Sequence, residues 1–393
     1  MRVGAGLSLE EESEAAAREA ATQAARPLGG EQPDLAVVFV SPHHAQASAR
    51  MLDVIHEVAA PKGLIGCVAE AVLGGRQEVE GHPGVSVWLG RLPGGVDTVH
   101  PEFVRTTEGG IFAGWRVDPE APPGAVILVC DPFTFPADLL LSYLNETVPG
   151  TPVIGGMASG AVRPGETLLF HDHEVVESGA VAAVLNGVVR VRTLVSQGCR
   201  PIGQSFVVTQ AEENVLQGLG GRPPLERLRE TAGRLSAADR ELLDRGIHLG
   251  RVIDEYKAEY GTGDFLIRGV IGADPDTGAM AVGDRLEVGQ TVQFHVRDAA
   301  TADEELRSIM ERSMASLPGR VAGALLFTCN GRGTRMFRQP NHDAGLISSY
   351  LGAAPMSGFF CAGELGPVGG RNFLHGFTAS LAVFVDGGAS TED

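Results

Sequence analysis

One pattern recurs three times along this chain and restricts its folding more than any other feature. A strand of the fully buried type is followed by a polar turn, a helix, a glycine-rich strand and a closing strand. In the first copy LAVVFVS ends at Ser41, a helix is expected over 45–58, GLIGCVAEAVLGG follows and VSVWLG closes. In the second, AVILVC ends at Cys130, a helix starts at Pro136, TPVIGGMASG follows and GAVAAVLNG closes. In the third, ALLFTC ends at Cys329, the helix covers 343–351, SGFFCAGELGPVGG follows and TASLAVFVDG closes. Ser41 to Cys67 is 26 residues and Cys130 to Gly156 is again 26, so Ser41, Cys130 and Cys329 are expected at equivalent strand ends. The third step, Cys329 to Cys361, is 32 residues, with the extra length in the turn CNGRGTRMFRQPN. A helix joins the first two strands of each copy, which requires parallel pairing in part of each sheet. The fold class is therefore mixed α/β (α+β): two domains built from repeated strand-helix-strand-strand units around mixed sheets.

Residues 1–32 read as an N-terminal helix and lead-in, with Ser8 capping an alanine-rich helix over 9–25. Between the second and third copies, VVRVRTLVSQGCRPIG reads as strand, RPPLERLRETAGRL and SAADRELLDRG as helices, and 264–299 as paired strands around a PDTG turn. The change from sheet to charged helices near Gly220–Arg222 separates a domain at 33–221 from one at 222–388, leaving 389–393 as a disordered tail. With 393 residues, 44% of them hydrophobic, the chain can bury substantial cores. A net charge of -18 argues against nucleic acid or an anionic membrane as partner, since either needs a basic face. The N-terminus lacks the apolar core of a secretory signal, and no stretch reaches the ~20 apolar residues of a membrane span. A cytoplasmic protein is expected, with Cys67, Cys130, Cys199, Cys329 and Cys361 reduced.

Polar chemistry concentrates in the third copy, where three glycine-rich turns follow buried strands and point to a small-molecule site. The turn Asn330, Gly331, Arg332, Gly333 offers backbone N–H groups and a guanidinium to an acidic group, without the lysine spacing of a P-loop. His342 and Asp343 open a helix that Asn341 can cap and Gly352 terminates. Glu364 is expected to take a cationic group such as an amine. Gly358, Phe359, Phe360, Gly366, Gly369 and Gly370 would line the site, with Arg371, Asn372 and His375 beside them. A cysteine-dependent hydrolase or transferase using Cys361 and His375 is an alternative, although Cys361 is expected to pack inward. The run His171, Asp172, His173, Glu174 places two histidines on one strand face, but supplies only two metal ligands and reads as an exposed edge. There is no CxxCH element; a haem would have to use a lone histidine, His342 or His375. No catalytic residue, metal or cofactor is assigned.

The strings CNGRG, PNHD and GFFCAGELGPVGGRNFLHGFTASLAVF resemble the C-terminal half of the FIST proteins. GLIGCVAEAV and TPVIGGMASG extend a weaker resemblance over about 34–219. The resemblance implies FIST N-like and FIST C-like domains forming a sensory module proposed to bind small molecules such as amino acids. In bacteria the module stands alone or is fused to signalling domains, some members are haem-bound nitric-oxide sensors, and in animals it occurs in an F-box protein. It implies for this chain an intracellular sensor of a small polar ligand acting on a signalling protein in trans. Haem-based nitric-oxide sensing and a protein-interaction scaffold are the alternatives.

Overall fold

The computed structural model describes residues 1–387 apart from 108, 258 and 262, so the tail expected at 389–393 lies outside the described residues. The chain divides into two compact units. The first joins Met1–Val195 to Arg307–Leu374 and the segment from Thr378; the second contains Ser196–Leu306 and His375–Phe377.

The first repeat runs β1 (Arg2–Ser8), α1 (Ser13–Ala25), β2 (Leu35–Val40), α2 (Ser48–Ala59), β3 (Gly63–Val68), β4 (Ala71–Gly74), β5 (Gln77–Glu80) and β6 (Val85–Arg91). The second runs β7 (Val96–Val99), β8 (Glu102–Thr106), β9 (Gly109–Ala113), β10 (Ala125–Cys130), α3 (Ala137–Thr147), β11 (Val153–Met157), β12 (Leu169–His171), β13 (Glu174–Val176) and β14 (Ala180–Leu185). The third opens with β15 (Arg190–Ser196) and is then interrupted. The interruption comprises β16 (Cys199–Glu212), β17 (Val215–Leu219), α4 (Pro224–Arg234), α5 (Ala237–Asp244), β18 (Ile247–Val252), β19 (Phe265–Ala273), β20 (Met280–Val282), β21 (Thr291–Arg297) and α6 (Ala299–Ala315). The repeat resumes with β22 (Arg320–Cys329), α7 (His342–Leu351), β23 (Met356–Cys361), β24 (Glu364–Val368), β25 (Arg371–His375) and β26 (Ala379–Asp386).

In each repeat the central strand pairs in parallel with the strand after the helix and antiparallel with the closing strand: β2 with β3 and β6, β10 with β11 and β14, β22 with β23 and β26. The mixed α+β architecture follows from this unit. Among the described residues each repeat centres a six-stranded sheet, yet each hairpin leaves its own sheet. β4 and β5 complete the third sheet, β12 and β13 the first, and β24 and β25 the second. The exchange is cyclic, so separating any repeat would break strand pairs with the other two.

Strands covered on both faces must be apolar at every position, which is why LAVVFV and AVILVC do not alternate. Val37, Phe39, Ile127, Val129, Leu325 and Phe327 enter one core shared by the three sheets, where the Phe39 ring lies 4.6 Å from Phe359. The intervening Ala36, Val38 and Val40 pack under α1 and α2, and Val126, Leu128 and Cys130 under α3. The helices bury matching positions: Ser48, Met51, Leu52 and Ile55; Ala137, Leu140, Leu141 and Leu144; Ala344, Ile347, Ser348 and Leu351.

Three glycines set the internal register. A Cβ on Gly66, Gly155 or Gly358 would stand 1.9, 1.8 or 1.8 Å from the carbonyl oxygen of Val38, Leu128 or Leu326. These triplets are therefore equivalent, and Ser41 corresponds to Asp131 and Cys329. The expected match of Cys130 with Ser41 is one residue out: Ser41 to Cys67 is 26 residues, whereas Asp131 to Gly156 is 25. Cys361 corresponds to Ala69 and Ala158.

Other expectations are corrected by local geometry. Residues 2–8 form an edge strand paired with β6, and α1 starts at Ser13 because the Glu12 carboxylate, not Ser8, accepts from Glu14 N–H and Ala15 N–H. Asn341 precedes α7 in a left-handed conformation, φ 63°, and its side chain makes no cap bond to that helix. His171–Glu174 is the turn of the β12–β13 hairpin rather than one strand face, with Asp172 at φ 54° and His173 stacked on His56 at 3.7 Å.

In the second unit the strands close into a barrel in the order β16-β17-β20-β19-β18-β21 around Ile202, Phe206, Leu249, Phe294 and Val296. The boundary read near Gly220–Arg222 falls between β17 and α4, both within this unit. The PDTG turn forms as expected, with Gly278 N–H donating to Asp274 O at 2.8 Å. The two ends of the inserted segment meet where Asp298 N–H donates to Gly198 O at 3.2 Å.

Candidate functional site at the third set of strand ends

β22 delivers the chain into the turn 330–333 at the carboxyl ends of two parallel strands, the place where open α/β sheets commonly take ligands. Arg332 is fully buried there. Its Nε and Nη2 donate to Asp343 Oδ2 and Oδ1 at 2.7 and 2.8 Å, a bidentate pair. Thr328 Oγ1 donates to Asp343 Oδ2 at 2.7 Å, and His342 Nδ1 lies 2.9 Å from Oδ1. The His342 ring stacks on Phe337 at 3.4 Å, and the guanidinium lies 5.3 Å from the same ring. Burial would raise the Asp343 pKa, but the charge and hydrogen bonds of Arg332, with His342, hold it well below the ordinary carboxylate range. The pair is ionised.

The exchanged hairpin of the first repeat carries three carboxylates to this end. Glu70 accepts from Asn330 Nδ2 at 3.2 Å and pairs with the exposed Arg335 guanidinium. Arg335 Nη1 also donates to Asn330 O at 2.8 Å. Glu80 accepts from Thr334 N–H at 3.0 Å and from Thr334 Oγ1 at 2.8 Å; Gly333, at φ 54°, leaves room where a Cβ would stand 2.7 Å from Glu80 Oε1. Glu78 Oε1 accepts from Ala344 N–H at 2.9 Å, and its own N–H donates to Asn341 Oδ1 at 2.7 Å, which explains why that asparagine does not cap. Burial, then the charge of Asp343, pushes the Glu78 carboxyl up to about 7.

Glu364 is the most unusual member. Gly66, Gly155 and Gly358 pair with Phe170, Leu365 and Leu73, so the residue before each, Leu169, Glu364 and Val72, occupies one equivalent position. Two copies have an apolar side chain there and the third has a fully buried acid. Burial pushes its pKa up to about 8, opposed in part by Thr378, whose N–H and Oγ1 donate to Oε2 at 3.0 and 2.9 Å, and by the Cys329 thiol. At neutral pH Glu364 is largely a neutral acid, a hydrogen-bond donor rather than a counter-charge.

The structure thus brings together Asn330, Gly331, Arg332, Gly333, His342, Asp343 and Glu364. It gives several other candidates packing positions. Gly358 is held by the approach of Leu326, Phe359 lies in the shared core and Phe360 is buried. Gly366 adjoins Ser380, and Gly369 and Gly370, at φ 60° and 79°, turn the chain between β24 and β25. Asn372 Oδ1 accepts from Val153 N–H at 2.8 Å and Nδ2 donates to Thr151 O at 2.9 Å, fastening the hairpin to the second repeat. Arg371 is exposed, and His375 belongs to the second unit. Cys361 is fully buried, and burial together with Glu364 drives its thiol pKa well up, away from the thiolate a nucleophile requires. Among the described residues no group of three or more His, Cys, Asp or Glu is arranged to hold a metal ion, and no helix is long and apolar enough to cross a membrane.

Residue-level reading missed Glu78, Glu80, Thr334 and Arg335. The glutamates come from a hairpin about 260 positions away in sequence, and no local spacing announces the exchange.

The FIST N domain matches residues 34–222 and the FIST C domain residues 224–367. The chain belongs to the FIST family. FIST domains are associated with signal-transduction sensing. An uncharacterised protein of Mycobacterium tuberculosis is 50% identical over 98% of this chain and 100% of its own length. One of Mycobacterium bovis is 49% identical over 98% of this chain and 99% of its own. The two FIST domains meet at residues 222–224, inside the barrel unit, so the sequence domains and the compact units divide the chain differently.

Proposed function

We propose that this FIST protein is a sensor that takes a small polar ligand, of amino-acid type, at the third set of strand ends. The supporting observation is the buried acid Glu364 at a position that is Val72 and Leu169 in the other repeats. Packing alone is met by an apolar residue there, so the acid, with the ionised Arg332–Asp343 pair beside it, marks a specialised end. In this reading Asn330 and Arg335 receive the acidic group of the ligand, and Glu70, now paired with both, receives its amine. The zwitterion replaces an internal ion pair by one of its own. Arg332 and Asp343 hold the turn in place, and Glu364 stands beside them as a protonated acid. The chemistry is binding without turnover, and the response is carried to a partner in trans.

Calorimetric titration of the purified chain with the common amino acids tests this. At least one should bind, and Glu70→Gln or Asn330→Ala should weaken it by roughly ten- to a hundredfold, the range for losing a charged hydrogen bond. Absence of binding by the whole panel, or equal binding by both variants, would rule the reading out.

A further inference from the structure

The three repeats serve as controls for one another, and around Tyr143 the second lacks the covering that a neighbouring helix gives the other two. In the first repeat α1 lies beside α2: Arg18 Nη2 is 3.1 Å from Glu57 Oε2, Ser13 Oγ is 3.0 Å from His44 Nδ1, and Val54 is 4% exposed. In the third, α6 fills the same stretch of chain, ahead of the central strand. There the Tyr350 hydroxyl donates to Glu311 Oε1 at 3.2 Å, and Leu346 is 7% exposed. The second repeat has the β8–β9 hairpin in that stretch. Its Phe103 and Phe112 rings lie 5.2 Å apart, and Phe112 lies 5.4 Å from Phe135, so the hairpin packs into the core over the sheet.

Aligning the buried positions of the three helices places Leu139 with Arg50, which is also exposed, and with the buried Leu346, and places Tyr143 with the buried Val54 and the half-buried Tyr350. Leu139 is 55% exposed and Tyr143 44%, one turn apart on one face, with Phe133 41% exposed in the preceding loop. Glu146 corresponds to Glu57, the partner of Arg18, and makes no ion pair with another described residue.

We propose that this flank of α3 docks a helix from another protein, one with small side chains on its contact face and a basic residue placed to meet Glu146. The template is α1, which turns fully buried Ala16, Ala17, Ala20, Ala21 and Ala24 inward and reaches across with Arg18. Small side chains let two helices approach closely, and the larger Tyr143 in place of Val54 requires them. A second copy of the chain is a poor occupant. The helix ADLLLSYLNET has two acids and no base, and the net charge of -18 opposes self-association. A helix that presents a basic residue to Glu146 meets opposite charge there instead.

The probe is a fluorescent peptide of residues 12–26, stapled between positions 15 and 22 on its exposed side and titrated by anisotropy with the full chain. Saturable binding is expected. The double variant Leu139→Ser with Tyr143→Ser should bind at least roughly tenfold more weakly, as should Glu146→Arg, and the charge swap Arg18→Glu in the peptide should restore binding to Glu146→Arg. Melting temperatures should stay at the wild-type value, since the three positions are exposed. No saturable binding up to about 1 mM, or equal affinity for wild type and both variants, overturns the proposal. So does sedimentation showing that the chain alone dimerises through Leu139 and Tyr143, which would make the occupant a second copy.

Discussion

Glu364 shows how one side chain can load a packing position with chemistry. Its folded-state pKa of about 8 lies above the ordinary 4.5, so the folded chain holds more protons than the unfolded chain between those values. The stability this group contributes is complete below pH 4.5 and is lost as pH rises through about 8. Glu364→Gln keeps an oxygen acceptor for Thr378 and removes the titration. Between pH 5 and pH 8.5 the wild type should therefore lose on the order of 3–5 kcal/mol relative to the variant, by urea unfolding at each pH. A stability difference that does not change with pH would show that Glu364 is ionised in the folded state. Asp343 works in the opposite sense: its depressed pKa stabilises the fold above the ordinary carboxylate range, and that stability is lost in acid.

At the scale of the element, the β-α-β unit depends on the glycines where neighbouring strands approach most closely. Gly358→Ala would place a methyl group 1.8 Å from the Leu326 carbonyl oxygen, and the nearest atoms are all Leu326 backbone, with no flexible side chain to yield. The expected cost is about 3 kcal/mol or more. Gly345, inside α7, has no atom within 4 Å of an added Cβ, so Gly345→Ala should stabilise by about 0.5–1 kcal/mol through helix propensity. Denaturant midpoints of the two variants should move in opposite directions. Equal shifts would contradict the close approach as the cause.

At the scale of the whole molecule, the three sheets exchange hairpins cyclically and the segment that forms the barrel interrupts the third repeat in sequence. Because Gly198 and Asp298 already share a hydrogen bond, replacing 199–297 by a short Gly–Ser linker should leave the three sheets able to fold. Circular dichroism and a single cooperative melt would support this; an aggregated or molten product would show that the sheets need the barrel. Much of the plan was legible beforehand. Strand runs apolar at every position, a helix after each polar turn, and the threefold recurrence are local properties, so they determined the β-α-β unit and the parallel pairing. The family resemblance rests on local strings in the same way. Hairpin exchange could not be read, because β4 and β5 carry the same pattern whichever sheet they join. Only tertiary structure decided that Glu70, Glu78 and Glu80 would meet Asn330, Ala344 and Thr334. Burial is likewise a property of the neighbours a residue acquires, so the closing of Arg332 on Asp343 and the neutral state of Glu364 were settled in three dimensions.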